Sequence, residues 1–105
     1  MAERLLREIY ETEAMLARID ALLAEARARL AELRQAKEYL ESLKPRRAYR
    51  IFADLVMVEV PVEEARRIVV EEEELLSMRV RKLEEEREKL ARRLEELKRR
   101  VVMQT

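Results

Sequence analysis

The sequence contains no glycine, cysteine, histidine or tryptophan, and only two prolines. Asparagine is missing as well. Turns lean on glycine, asparagine, aspartate and proline, each for its own backbone reason. A chain so poor in them has few places to reverse, which excludes a globule built of many short elements. The lack of cysteine removes disulfides and thiol chemistry and fits a cytoplasmic setting. Without histidine or cysteine, the common metal ligands and most nucleophile–base pairs are gone. No metal site and no enzyme activity are therefore expected. No glycine-rich loop is there to cradle phosphate, and no cofactor is expected. No apolar run approaches the roughly 20 residues of a membrane span. The N-terminus, Met1-Ala2-Glu3-Arg4, does not follow the basic-then-apolar plan of a signal peptide.

What the 105 residues do hold is charge: 44% are charged and only 4% aromatic. A chain dominated by Ala, Glu, Lys, Leu and Arg reads as long helix or coiled coil. Its 23 basic residues balance its 23 acidic ones. A nucleic-acid module carries a clear basic excess on one face, so none is expected here. The basic clusters Arg46-Arg47, Arg92-Arg93 and Lys98-Arg99-Arg100 are interleaved with acids and lack an aromatic platform. The run Glu71-Glu72-Glu73-Glu74 could suggest a cation site. Successive helix residues point to different sides, so the run reads as a solvated face. Glu84-Glu85-Glu86 reads the same way.

The periodicity divides the chain into three parts. From about residue 2 to 44, apolar residues recur at spacings of three and four: Leu5, Ile9, Leu16, Ile19, Leu23, Ala26, Leu30, Leu33 and Leu40. Thr12 and Lys37 fill two slots of the same frame. This is a heptad seam, with a period of about 3.5. Pro45 ends it, because its ring disfavours helical geometry at Lys44. From about 48 to 60 the chain turns β-branched and includes its only Phe, which predicts two short strands with a turn at Ala53-Asp54. From about 61 to 103 a second seam runs through Val69, Leu76, Val80, Leu83, Leu90, Leu94, Leu97 and Val101, interrupted by Glu73 and Arg87. Pro61 suits a first helical turn, and Glu63 and Glu64 suit the positive end of the helix dipole. The expected fold is mainly α: a long antiparallel coiled-coil hairpin with one short β-hairpin between its helices, in a single domain of residues 1–105. Lys37 and Glu73 should then lie close together, unless each stem packs while its charge reaches solvent.

An antiparallel hairpin brings the chain ends together. Leu5, Ile9 and Val101 are enough for the seam there, which leaves Leu6, Tyr10, Val102 and Met103 as surplus. Surplus apolar surface marks an interaction site, and methionine suits adaptable contact. The alternative is a frayed end with scattered hydrophobes.

The order helix, strand pair, helix resembles the beta-class subunit of archaeal prefoldin. The stretch carrying most of the likeness is Tyr49-Arg50-Ile51-Phe52-Ala53-Asp54-Leu55-Val56-Met57-Val58. Glu63-Glu64-Ala65 and Met78-Arg79-Val80-Arg81-Lys82-Leu83-Glu84 are similar to the start and middle of the family's second helix. Relatives carry a turn glycine where this chain has Ala53. The resemblance implies assembly through the hairpins, here Tyr49, Ile51, Phe52, Leu55, Val56, Met57 and Val58. The implied assembly is a hexamer of this chain with an alpha-type subunit, with itself, or with both. It also implies an ATP-independent holdase whose tips, at Leu5, Leu6, Ile9, Tyr10, Val101, Val102 and Met103, bind unfolded proteins and deliver them to a group II chaperonin. The strand face buried on assembly holds Ile51 or Phe52, Val56 or Met57, and Val58. At about 25 cal/mol per Å2, such a face contributes several kcal/mol. Two other readings remain: a scaffold coiled coil that docks another partner through its hairpin, and a nucleic-acid-associated coiled coil.

Overall fold

A computed structural model describes residues 2–104. Two long helices flank a two-stranded antiparallel sheet, in the order α1 (Ala2–Ser42), β1 (Ala48–Phe52), β2 (Val56–Val60), α2 (Val62–Gln104). α1 stops two residues short of the proline-based expectation. Lys44 adopts a left-handed φ of 45° and cannot continue the helix. The last helical bond runs from the Leu43 amide to the Tyr39 carbonyl, at 3.0 Å. α2 starts just after Pro61, whose carbonyl accepts from the Ala65 amide at 3.0 Å.

The chain packs as two compact units. In the first, residues 2–26 of α1 pack against residues 79–104 of α2. Arg93 lies 4.0 Å from Glu8, and Arg87 pairs with Asp20. Contacts ascend α1 as they descend α2, so the two segments are antiparallel. Leu23, Ala26, Val80, Leu83 and Leu97 are buried between them, all at seam positions. Thr12 occupies the seam too and is 3% exposed. Burying a hydroxyl is costly unless it is bonded. Its Oγ1 donates to the Glu8 carbonyl at 2.7 Å, which meets that need within its own helix.

The second unit, residues 27–78, holds the rest of both helices and the sheet. Its helical core is Leu30, Leu33 and Leu40, with Val69 and Leu76 half-buried. The two seam charges meet here: Lys37 Nζ lies 3.4 Å from Glu73 Oε2, and Arg34 Nε reaches the other oxygen at 3.4 Å. Arg66 of α2 donates to the Leu40 carbonyl at 3.1 Å and pairs with Glu63. Carbonyls in the last turn of a helix lack intrahelical partners. α1 has no basic residue in its own last turn, so α2 supplies the cation.

The strands pair in the register Ala48↔Val60, Tyr49↔Glu59, Arg50↔Val58, Ile51↔Met57, Phe52↔Val56. Ala53-Asp54-Leu55 connects them, and the Leu55 amide donates to the Phe52 carbonyl at 3.0 Å. Ala53 and Asp54 both take left-handed φ, 50° and 60°. That is the backbone a right-twisted hairpin demands of its turn residues, here without a glycine.

Candidate functional site

The unit of residues 27–78 presents one candidate surface, the β-hairpin. Directly opposed residues of an antiparallel pair share a face. The register therefore groups Tyr49 and Ile51 with Met57 and Glu59, and groups Ala48, Arg50 and Phe52 with Val56, Val58 and Val60. Ile51 and Phe52 lie on opposite faces, as do Met57 and Val56. Each face carries large apolar side chains. Tyr49, Ile51, Phe52, Val56, Met57 and Val58 are all exposed, and Leu55 in the turn is 87% exposed. Only the root of the sheet, at Ala48 and Val60, is half-buried. The Arg50 guanidinium stacks 5.1 Å from the Phe52 ring centroid. On the other face, Arg47 lies 3.7 Å from Glu59. Two strands alone are marginal in water. A hairpin apolar on both faces, with both edges open, is a surface to be covered.

The other unit presents the second candidate surface, where the chain ends meet. Arg4, Leu5 and Glu8 of α1 line one shallow cleft together with Arg100 and Gln104 of α2. Leu5, Ile9 and Val101 are half-buried along the seam. Leu6 and Val102 are exposed, Tyr10 is 75% exposed and Met103 86%. The residues needed for the seam and those surplus to it thus separate by burial. The end is also rich in ion pairs along each helix, including Arg4 with Glu8 at 3.9 Å and Arg100 with Glu96 at 2.6 Å.

Two features of this unit escape the sequence pattern. Arg87, which interrupts the second seam, donates through Nε and Nη2 to the two carboxylate oxygens of Asp20. The hydrogen bond, and then the charge of Asp20, hold Arg87 above its ordinary value, so it stays a cation. An arginine in a seam calls for an acid nearby, but only the register between the helices says which. Met15, off the seam, is also exposed and borders an apolar groove together with Ile19, Leu22, Leu83 and Leu90.

Among the described residues, no group of three or more His, Cys, Asp or Glu is placed to hold a metal ion. No helix among them is long and apolar enough to cross a membrane.

The sequence profile described as "Prefoldin subunit" matches residues 3–103. Among solved structures, the prefoldin beta subunit from Thermococcus strain KS-1 is similar, with a TM-score of 0.83 at 22% identity. The match covers 95% of this chain and 88% of that one. No curated protein matches the chain.

Proposed function

Because the chain belongs to the prefoldin subunit family, we propose that it works as an ATP-independent holdase, binding unfolded proteins at its chain-end tip and assembling through its hairpin. The family makes it a chaperone subunit that assembles with other prefoldin subunits. The finer reading rests chiefly on one observation. The largest groups of exposed apolar side chains are at the hairpin and at the meeting chain ends, with Met15, Tyr39, Leu43, Leu75 and Met78 exposed elsewhere along the helices.

The hairpin is the assembly element. Tyr49, Ile51 and Met57 on one face, and Phe52, Val56 and Val58 on the other, bury against neighbouring subunits, with Leu55 at the turn. Pairing both open edges satisfies the strand amides and carbonyls that a single chain leaves to water. The neighbours are an alpha-type subunit, further copies of this chain, or both, in a hexamer. Leu5, Leu6, Ile9, Tyr10, Val101, Val102 and Met103 form the client tip. Each tip binds weakly, and several on one body bind by avidity. The complex works in the cytoplasm without a cofactor and hands its client to a group II chaperonin. The chain does no covalent chemistry in this scheme.

Deleting residues 1–10 and 100–105 should abolish suppression of client aggregation while the oligomer persists by sedimentation. Holding activity that survives this truncation rules out the tip. Charged substitutions at Ile51 and Val56 should give smaller species, and an unchanged mass would sink the assembly claim. A chain that assembles but suppresses no aggregation is a scaffold instead.

A further inference from the structure

Within the unit of residues 27–78, Arg29 of α1 lies 3.5 Å from Glu72 of α2, which identifies one flank of the helix pair. Residues three, four or seven apart on a helix share a side. That flank therefore also carries Ala36, Tyr39 and Leu43 of α1 and Ala65 and Ile68 of α2. Leu75, one heptad beyond Ile68, continues it. Tyr39, Leu43 and Leu75 are exposed, and Ala36, Ala65 and Ile68 are half-buried. The opposite flank is charged. Arg34 reaches Glu73 there, Glu38 and Glu41 follow Arg34 at helical spacings, and Glu63 pairs with Arg66. Val70 on that side is half-buried. At the sheet end of the helices, the exposed apolar side chains thus lie on one flank only. The Leu43 amide donates to the Tyr39 carbonyl at 3.0 Å, which sets the two residues one turn apart. Lys44–Arg47 alone separates Leu43 from β1.

We propose that this flank is an interface between copies of the chain, in which Tyr39 and Leu43 of one copy receive the β-hairpin of a second through its Tyr49, Ile51 and Met57. The proposal rests on the reading of the hairpin as the assembly element and says what one of its faces meets. Size calls for such an extension. A stable interface takes about 20–30 residues and 800 Å2 on each side. Two strands of five residues and a short turn show only half their side chains on either face, which is too few. Tyr39 and Leu43 adjoin the hairpin and add apolar area where it is short. The chemistry of the second copy fits. The face of Ala48, Arg50, Phe52, Val56, Val58 and Val60 is half-buried at its root within its own chain and holds a cation. The face of Tyr49, Ile51 and Met57 has all three exposed. Tyr49 and Ile51 stand roughly 7 Å apart along β1, and Tyr39 and Leu43 roughly 6 Å apart along α1, so the two rows mesh. With 23 basic and 23 acidic residues, copies of the chain carry no net charge to hold them apart.

The test uses the full chain by itself. The sequence has no cysteine, so a thiol can be introduced on each surface without interference. Copies with Leu43→Cys, mixed with copies with Met57→Cys and treated with a short bismaleimide, should give a covalent dimer containing one of each. Glu41→Cys, on the charged flank, should give several-fold less of the mixed dimer in place of Leu43→Cys. Equal yields from the two flanks, or no mixed dimer from Leu43→Cys, overturn the proposal. Tyr39→Glu combined with Leu43→Glu changes only exposed side chains, so helix content by circular dichroism should be kept while sedimentation reports smaller species. If charged substitutions at Ile51 and Val56 lower the mass and the Tyr39 and Leu43 pair does not, hairpin assembly stands and this interface falls. If neither set lowers the mass of an oligomeric chain, both fall. A wild-type chain that is monomeric by itself means that a different subunit covers the flank, and the proposal is wrong.

Discussion

At the scale of the residue, three side chains carry more than their positions announce. Ala53 holds a left-handed φ of 50°. A residue with a Cβ is roughly 1–2 kcal/mol worse there than glycine. Glycine's looser unfolded chain offsets part of the gain, by about 0.4–1 kcal/mol. Ala53→Gly should therefore stabilise the chain by about 0.5–1 kcal/mol in denaturant titration; destabilisation would contradict the turn geometry. Asp54, also left-handed, needs no such change, because Asp tolerates that region. Arg66 is the second. It joins the end of α1 to the start of α2 through the Leu40 carbonyl and Glu63, and its Nε is buried without a hydrogen-bond partner. Arg66→Met should cost about 1–2 kcal/mol, the range of hydrogen bonds to a charged group discounted for partial exposure. Arg66→Lys should recover only part of this, since an ammonium cannot fork to both partners. Equal stability of Arg66→Met and wild type would exclude the capping role. Arg87 is the third. A group held above its ordinary value adds stability that is lost only as pH rises through that raised value, here far above neutrality.

At the scale of the element, the seams were legible and their mutual register was not. Spacing alone places Leu23, Ala26, Leu30, Leu33 and Leu40 on one helix, and Val80, Leu83 and Leu97 on the other, and each of these is buried. Periodicity reports which face of a helix is inward. It says nothing of which residue on the partner stands opposite. Lys37 and Glu73 could be paired in advance because both lie near the strands, where the connection is short. Asp20 and Arg87 lie far along the helices, and Asp20 is not a seam residue. For the same reason the groove at Met15 left no mark in the pattern. The hairpin was readable as two strands, but not the left-handed pair at its turn, which lacks the usual glycine. Charged residues in the seam give a test at this scale. Arg34 and Lys37 both reach Glu73, whose side chain is 19% exposed. Replacing one partner leaves a half-buried charge, whereas replacing both with apolar residues of similar size is often neutral or better. Glu73→Leu alone should destabilise, and Lys37→Met with Glu73→Leu should recover most of the loss. A double-mutant cycle should return a coupling of about 0.5–1 kcal/mol. A coupling of zero would mean that the pair is only incidental to the seam.

At the scale of the whole molecule, composition sets the response to pH. Histidine is the side chain whose unperturbed charge changes near neutrality, and the chain has none. Carboxylate, ammonium and guanidinium groups in general change charge well outside that window. Melting temperature by circular dichroism should therefore stay flat between about pH 6 and pH 8. A clear slope there would require a carboxyl or ammonium group shifted far from its ordinary range. Family membership places the chain among subunits, and the hairpin faces, apolar on both sides, agree with a chain that is finished only in company.

The meeting of Arg4, Leu5 and Glu8 with Arg100 and Gln104 has a mechanical consequence. Handles attached near the two ends would pull on the same end of the unit that holds residues 2–26 and 79–104. The load then falls on one seam layer at a time, never on all of them in parallel. Such a unit opens as a zipper, at low and nearly constant force. The first layers to part are those that hold Leu5, Ile9 and Val101, beside the exposed tip.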